Sequence, residues 1–283
     1  MKATLSLGLL AAAFLAPPAP AELKLPQKSP AEKISHDIGT STVTLAYHRP
    51  AVRGRAVWGD LVPYGKPWRL GANEVTTLAF THPARVAGKD VPAGRFALLA
   101  IPAKEKWTLI LNKEADQWGA YFYKPEQDLV RFDVPVQAGA SAEWMTFTLT
   151  PTSASSTRVD FAWEKVRFSF PIEVDVDGIA WKAIETELAA TRGKPEEWAT
   201  TLQAARFALE KETRLDEAMV WVDRSLALKE SFWNDELKAR LLHRAGKTVE
   251  AVALIEKAKV LAKGKAPDEY VDGLDKTLAE WRK

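Results

Sequence analysis

Residues 144–172, WMTFTLTPTSASSTRVDFAWEKVRFSFPI, alternate large apolar side chains with threonine, serine and charged residues. A period of two marks extended backbone with one face buried and the other in water. Three strands are read from it, Trp144–Thr150, Thr157–Trp163 and Val166–Ile172. The polar run around Ser153, Ser155 and Ser156 reads as the turn between the first two, and Trp163-Glu164-Lys165-Val166 as a tight hairpin joining the last two. Upstream, the same short pattern covers Thr42–Tyr47, Thr76–Phe80, Arg95–Ile101, Trp107–Leu111 and Leu129–Val134, and Val86–Gly94 carries two further turn signals. Together they predict an antiparallel β-sandwich over residues 34–174.

From about residue 178 the apolar residues recur at helical spacing: Trp181, Ile184 and Leu188, then Trp198, Leu202, Ala205 and Leu209, then Leu215, Ala218, Val222 and Leu226. Residues 178–283 are therefore expected to be all-helical, which makes the chain α+β. Gly193 and Gly246 stand where helix C-termini need left-handed backbone, and Pro195 and Pro267 suit first-turn positions. Asp216–Val222 is echoed by Val249–Ile255, one residue short of the roughly 34-residue tetratricopeptide period. Two degenerate tetratricopeptide-like units and a closing helix over Pro267–Trp281 are expected. So few repeats need further support, from Trp181, the preceding helix or the sandwich.

Lys2, the apolar run Ala3–Ala16 and the small residues Ala19-Pro20-Ala21 read as a signal peptide over residues 1–21, cleaved after Ala21. The run is shorter than the roughly 20 residues that span a bilayer, and Pro17-Pro18 follows at once. A flexible linker is expected over residues 22–33, and a periplasmic or secreted protein with no membrane span after cleavage. The chain has no cysteine, which excludes both disulfides and a thiol-linked lipid anchor. Its 39 basic and 37 acidic residues nearly cancel, so the electrostatic footprint for nucleic acid or an anionic bilayer is missing.

Residues 47–77 crowd arginine, tryptophan, glycine and proline into a stretch with neither period, which reads as a long ordered loop and the first place to look for a site. Tyr47-His48-Arg49-Pro50, Gly59–Gly65 leading to Trp68–Glu74, Val91–Gly94, Asn112-Lys113 and Gln117–Tyr121 together resemble a bacterial exported family known only as a domain of unknown function, numbered 2911. The resemblance covers about the first half of the chain, and members often continue into a tetratricopeptide-like tail. It implies no activity. His48 stands where a small polar residue is expected of the family, and no role is assigned to it.

Catalytic signatures are missing. His36, His48, His82 and His243 show no metal-ligand spacing, and there is no nucleophile elbow, phosphate loop or dinucleotide fingerprint, so neither metal nor cofactor is expected. What remains is a polar and aromatic set: Arg49, Trp68, Arg69, Asn73 and Glu74 in the first motif, Lys113, Gln117, Trp118 and Tyr121 in the second. Guanidinium forks clamp anions or hydroxyls, an amide both donates and accepts, and indole gives a flat apolar face for sugar rings. A small polar ligand or glycan is the expected partner here, without catalysis. Two alternatives stand beside it. Arg69–Glu74 or Arg49–Asp60 pairs would pin the loop as a structural clasp, and Glu74 would serve as acid or base in an envelope hydrolase. Stacked helix pairs in the tail are expected either to hold a protein partner or to buttress the sandwich.

Overall fold

The computed structural model describes residues 25–283, and the expected signal peptide lies outside them. Among these residues ten strands precede six helices. The strands are β1 (Ala31–Ile38), β2 (Ser41–His48), β3 (Thr77–Phe80), β4 (Ala84–Val86), β5 (Lys89–Val91), β6 (Gly94–Ile101), β7 (Lys106–Asn112), β8 (Asp128–Pro135), β9 (Gln137–Ser153) and β10 (Ser156–Glu173). They form two antiparallel sheets, β1-β2-β3-β6-β7-β8 and β5-β4-β10-β9. The period-two reading has its physical counterpart in β2, where Val43, Leu45 and Tyr47 are buried and the residues between them are half-exposed. Those side chains, with Leu98, Trp107 and Leu109 from the first sheet, share one core with Phe147, Phe161, Trp163 and Phe170 from the second. The α+β arrangement is thus a sandwich followed by helices.

β10 is one unbroken run of extended residues that nevertheless reverses direction. Eighteen residues laid straight would span about 60 Å, yet Val174 N–H donates to the Ser155 carbonyl at 2.9 Å. The Phe161 and Phe168 rings stack with centroids 4.5 Å apart. Glu164, with φ at +50°, makes the tight turn between the two arms.

Three features were not read from the sequence. β1 begins at Ala31, inside the stretch expected to be a linker, because Glu32 accepts from Tyr47 and pairs with Arg49. Its charges hid it, and a sheet edge tolerates them. β9 starts seven residues before Trp144, in a run of small exposed residues with little apolar signal. β4 and β5 are three residues each and flank the Ala87-Gly88 turn.

The helices are α1 (Val176–Thr191), α2 (Glu197–Glu210), α3 (Leu215–Leu228), α4 (Phe232–Arg244), α5 (Thr248–Ala262) and α6 (Asp268–Trp281). Val176 and Ile179 at the start of α1 pack on the sandwich core. Trp181 meets Phe207 of α2 edge-on at 4.9 Å, and the Arg214 guanidinium lies 4.7 Å above its ring. Ala218 and Ala251 are fully buried, which lets neighbouring helices approach closely. Gly193 and Gly246 adopt φ of +75° and +79°, as their places after helix ends require. No helix among the described residues is long and apolar enough to cross a membrane.

Candidate functional site

Between β2 and β3 the chain is irregular but tightly held. Trp68 and Ala100 exchange backbone hydrogen bonds of 2.7 and 2.9 Å. Leu70 and Asn73 both take φ of +55°, and the Thr76 hydroxyl donates to the Leu70 carbonyl at 2.7 Å. Gly71 passes so close to the His48 carbonyl and the Thr76 hydroxyl that a Cβ would lie 3.1 Å from each. The Trp68 ring packs with Trp58, Trp107 and Trp163, with centroids 5.8 to 6.0 Å away. Its role is therefore packing between the sheets.

Arg49 is likewise engaged. Its guanidinium pairs with Glu32 at 2.9 Å and donates to the Met145 carbonyl and the Thr146 hydroxyl on β9. Tyr47 joins the same network, donating to Glu32 and accepting from the Phe147 N–H, each at 3.0 Å. Burial, followed by the nearby Glu32, pushes its phenol up to about 12. A clasp does exist, but its acid is Glu32 rather than Asp60.

The second motif follows β7. Asn112 is fully buried and ties this loop down by donating to the Lys124 carbonyl and to Asp128. Gln117 is 6% exposed, and its amide nitrogen donates to the Glu114 carbonyl at 2.8 Å. The two motifs then meet. Val75 N–H donates to the Gln117 carbonyl at 3.1 Å, Gly119 N–H donates to the Asn73 carbonyl at 3.0 Å, and Glu74 and Trp118 form an antiparallel bridge.

On this short ladder the Arg69 guanidinium lies 5.8 Å from the centre of the Trp118 ring. Tyr121 stacks on Trp118 at 5.9 Å, with the rings 13° from parallel. Gly119 permits the stack, since a Cβ there would meet the Tyr121 ring at 2.7 Å. Trp118, Tyr121 and Phe122 are 55%, 74% and 67% exposed, an apolar surface unusual for one short loop. Asn73 holds the N-terminal arm, donating to Gln27 at 2.9 Å and to the Ser29 carbonyl at 3.4 Å. Lys113 is exposed, and its backbone N–H donates to the Gln127 carbonyl.

Arg69 is electrostatically exceptional. Within the described chain every other arginine of the sandwich donates to an acceptor, whereas the Arg69 side chain donates to none and its Nε is enclosed without a partner. Burial lowers its pKa from the ordinary guanidinium value, and the nearby Tyr121 partly offsets this. Gln117 Oε1 is also enclosed and unpartnered.

The expected Arg69–Glu74 pair is not formed among the described residues, because Glu74 faces His48, with Oε2 3.3 Å from Nδ1. His48, given no role from sequence, thus belongs to the neighbourhood; its outward position on β2 was the available signal. Glu74 and His48 line a groove of about 330 Å³ with Lys33, Thr77 and Arg95. Arg95 is neutralised by Asp116 at 2.6 Å. Among the described residues no cluster of three or more histidines or carboxylates is arranged to hold a metal ion.

Two other concavities lie outside these motifs. One, of about 350 Å³, is formed by α2, α4 and α6 around Arg206, Trp233, Arg240 and Tyr270. The other, of about 850 Å³, is walled by Arg85, Asp90, Ser153, Ser155 and Glu173.

A family model described as Protein of unknown function (DUF2911) matches residues 29–172. No curated protein and no solved structure matches the chain significantly.

Proposed function

The chain belongs to this family of proteins of unknown function, and we propose that it is an exported bacterial binding module of the cell envelope that takes a small polar ligand without turning it over. The observation that carries the reading is the Arg69–Trp118–Tyr121 stack. A half-buried guanidinium with no acceptor in the described chain lies beside two exposed parallel rings. A cation that has lost water and gained no partner raises the energy of the free protein, and a ligand that supplies acceptors recovers that cost. Aromatic faces beside a few convergent polar groups are the usual make-up of a small-ligand site. The test is calorimetric titration with small sugars and acids, comparing the native chain with Arg69→Ala and Trp118→Ala variants. Binding that survives both substitutions would refute the site.

In the same proposal the helical tail is tetratricopeptide-like and serves a protein partner. α3 and α5 carry the two halves of the sequence echo, and α2, α4 and α6 together form a groove with Trp233 and Tyr270 in it. Export rests on the N-terminal sequence pattern alone.

A second reading is favoured by a separate observation, the 3.3 Å approach of Glu74 to His48 in a groove that also holds Thr77. In it Glu74 orients or exchanges a proton with the imidazole, and the pair acts as acid and base in hydrolysis of a glycan or another polar substrate. Mass spectrometry of envelope glycan fragments incubated with the native chain and with Glu74→Gln separates the two readings. Only hydrolysis gives a product that depends on Glu74.

A further inference from the structure

We propose that the ligand of the Arg69 corner is a monocarboxylate carried on a ring, either an acidic sugar or an aromatic acid. The inference rests on the binding reading and narrows it to one chemistry.

The carboxylate follows from charge and shape. Arg95, the other guanidinium at this edge, is already neutralised by Asp116, and Glu74 is turned toward His48. Arg69 is left as one uncompensated positive charge with no acceptor in the described chain. A single planar fork matches a planar monoanion through two parallel hydrogen bonds. A phosphate dianion is better served by several cations or by a cradle of backbone N–H groups. Enclosure of Nε leaves the terminal guanidinium nitrogens as the end that meets the ligand.

The ring follows from the stack. Arg69 and Tyr121 both pack against Trp118, with the guanidinium 5.8 Å from the indole centre and the phenol ring 13° from parallel with the indole, and both border Gly119. The Tyr121 ring packs on the backbone at Gly119, the position where a side chain would push it away. Two broad parallel faces beside a charge select a ligand with a flat apolar face next to its anionic group. Acetate offers the charge without the face, and glucose the face without the charge.

The experiment is calorimetry on the full chain with glucuronate, benzoate, glucose, benzyl alcohol, acetate and inorganic phosphate, repeated on Arg69→Gln, Arg69→Lys and Trp118→Phe. Melting curves establish that each variant is folded. At least one ring carboxylate should bind about tenfold or more tighter than its neutral counterpart, since a charge-assisted pair contributes at least that much. Arg69→Gln should abolish the difference and Arg69→Lys should restore part of it. Whether glucuronate or benzoate binds better distinguishes the sugar from the aromatic acid. Equal binding of glucose and glucuronate would overturn the carboxylate while leaving the binding reading intact. Acetate binding as well as the ring acids would overturn the ring, and phosphate outcompeting them would overturn the single-charge fork. No heat with any compound would overturn both inference and reading, as would concentration-dependent dimerisation that Tyr121→Ala and Phe122→Ala abolish.

Discussion

Trp163 of β10 lies nearly face to face with Trp68 of the irregular loop, their rings 19° from parallel and 5.8 Å apart. The loop that carries the candidate site is therefore fastened to the second sheet by an indole pair at the heart of the core. Trp163→Ala should lower the unfolding free energy by about 3–5 kcal/mol, the usual cost of removing a buried indole. Urea titration followed by circular dichroism checks this. A much smaller loss would mean that the loop does not depend on that contact.

Tyr47→Phe removes the hydroxyl that accepts from the Phe147 N–H. The expected cost is about 1–3 kcal/mol, the penalty for a buried donor left unsatisfied. Comparison with Glu32→Gln in the same denaturation assay tells whether the hydroxyl or the ion pair with Arg49 dominates.

Arg69→Ala should change stability by no more than about 1 kcal/mol, because its guanidinium has no acceptor to lose among the described residues. Asn73→Ala should cost more, since it frees Gln27 and Ser29 and replaces a residue at positive φ. A loss above about 2 kcal/mol for both variants in chemical denaturation would favour the clasp over the site.

Gly119→Ala tests the aromatic stack. The added Cβ would collide with the Tyr121 ring, and φ is already +74°. A destabilisation above about 1 kcal/mol is expected, together with a changed near-ultraviolet circular dichroism spectrum as Tyr121 leaves Trp118. Gly193→Ala is the control, because φ there is +75° and nothing lies within 4 Å of the new atom. It should show the backbone penalty without the spectral change.

Asp235 offers a test in the helices. Its carboxylate is buried, neither oxygen has a hydrogen-bond partner among the described residues, and Lys257, 3.5 Å away, is held first by Glu230. Burial raises its pKa above the ordinary value of 3.8, and Lys257 only partly opposes the shift. A raised acid pKa contributes stability that is complete below the ordinary value and lost as pH rises through the folded value. At about pH 7 the native chain therefore carries a charged-state penalty that Asp235→Asn lacks. Melting temperatures should favour the variant at neutral pH and converge as the pH approaches the ordinary carboxylate range. A gap that widens on acidification would refute the assignment.

Much of the β framework was legible because its strands alternate cleanly. Thr157–Trp163 could be read since it buries every second residue, and Trp144–Thr150 since Met145 and Phe147 alternate with residues that are not buried. β1 was hidden because Glu32, Lys33 and Asp37 blur its pattern at a sheet edge, where charges cost little. The meeting of the two motifs was legible only as composition. Nothing local specifies that Glu74 will bridge Trp118, because such pairings are set by the whole sheet. Arg49 and Trp68 looked like ligand contacts for the same reason that they make good structure. A guanidinium fork and an indole face satisfy buried partners as readily as bound ones.

The indole cluster also fixes the order of assembly. Trp58 and Trp68 come early in the chain, and the last member, Trp163, arrives after the whole first sheet. Tyr47 and Phe147 are joined across 100 residues in the same way. Closure of such distant contacts is slow compared with the winding of neighbouring helices. As the polypeptide emerges from a ribosome, the early tryptophans wait in water until β10 appears. In that interval they are bait for chaperones, and quenching of their emission marks the moment when the sandwich shuts.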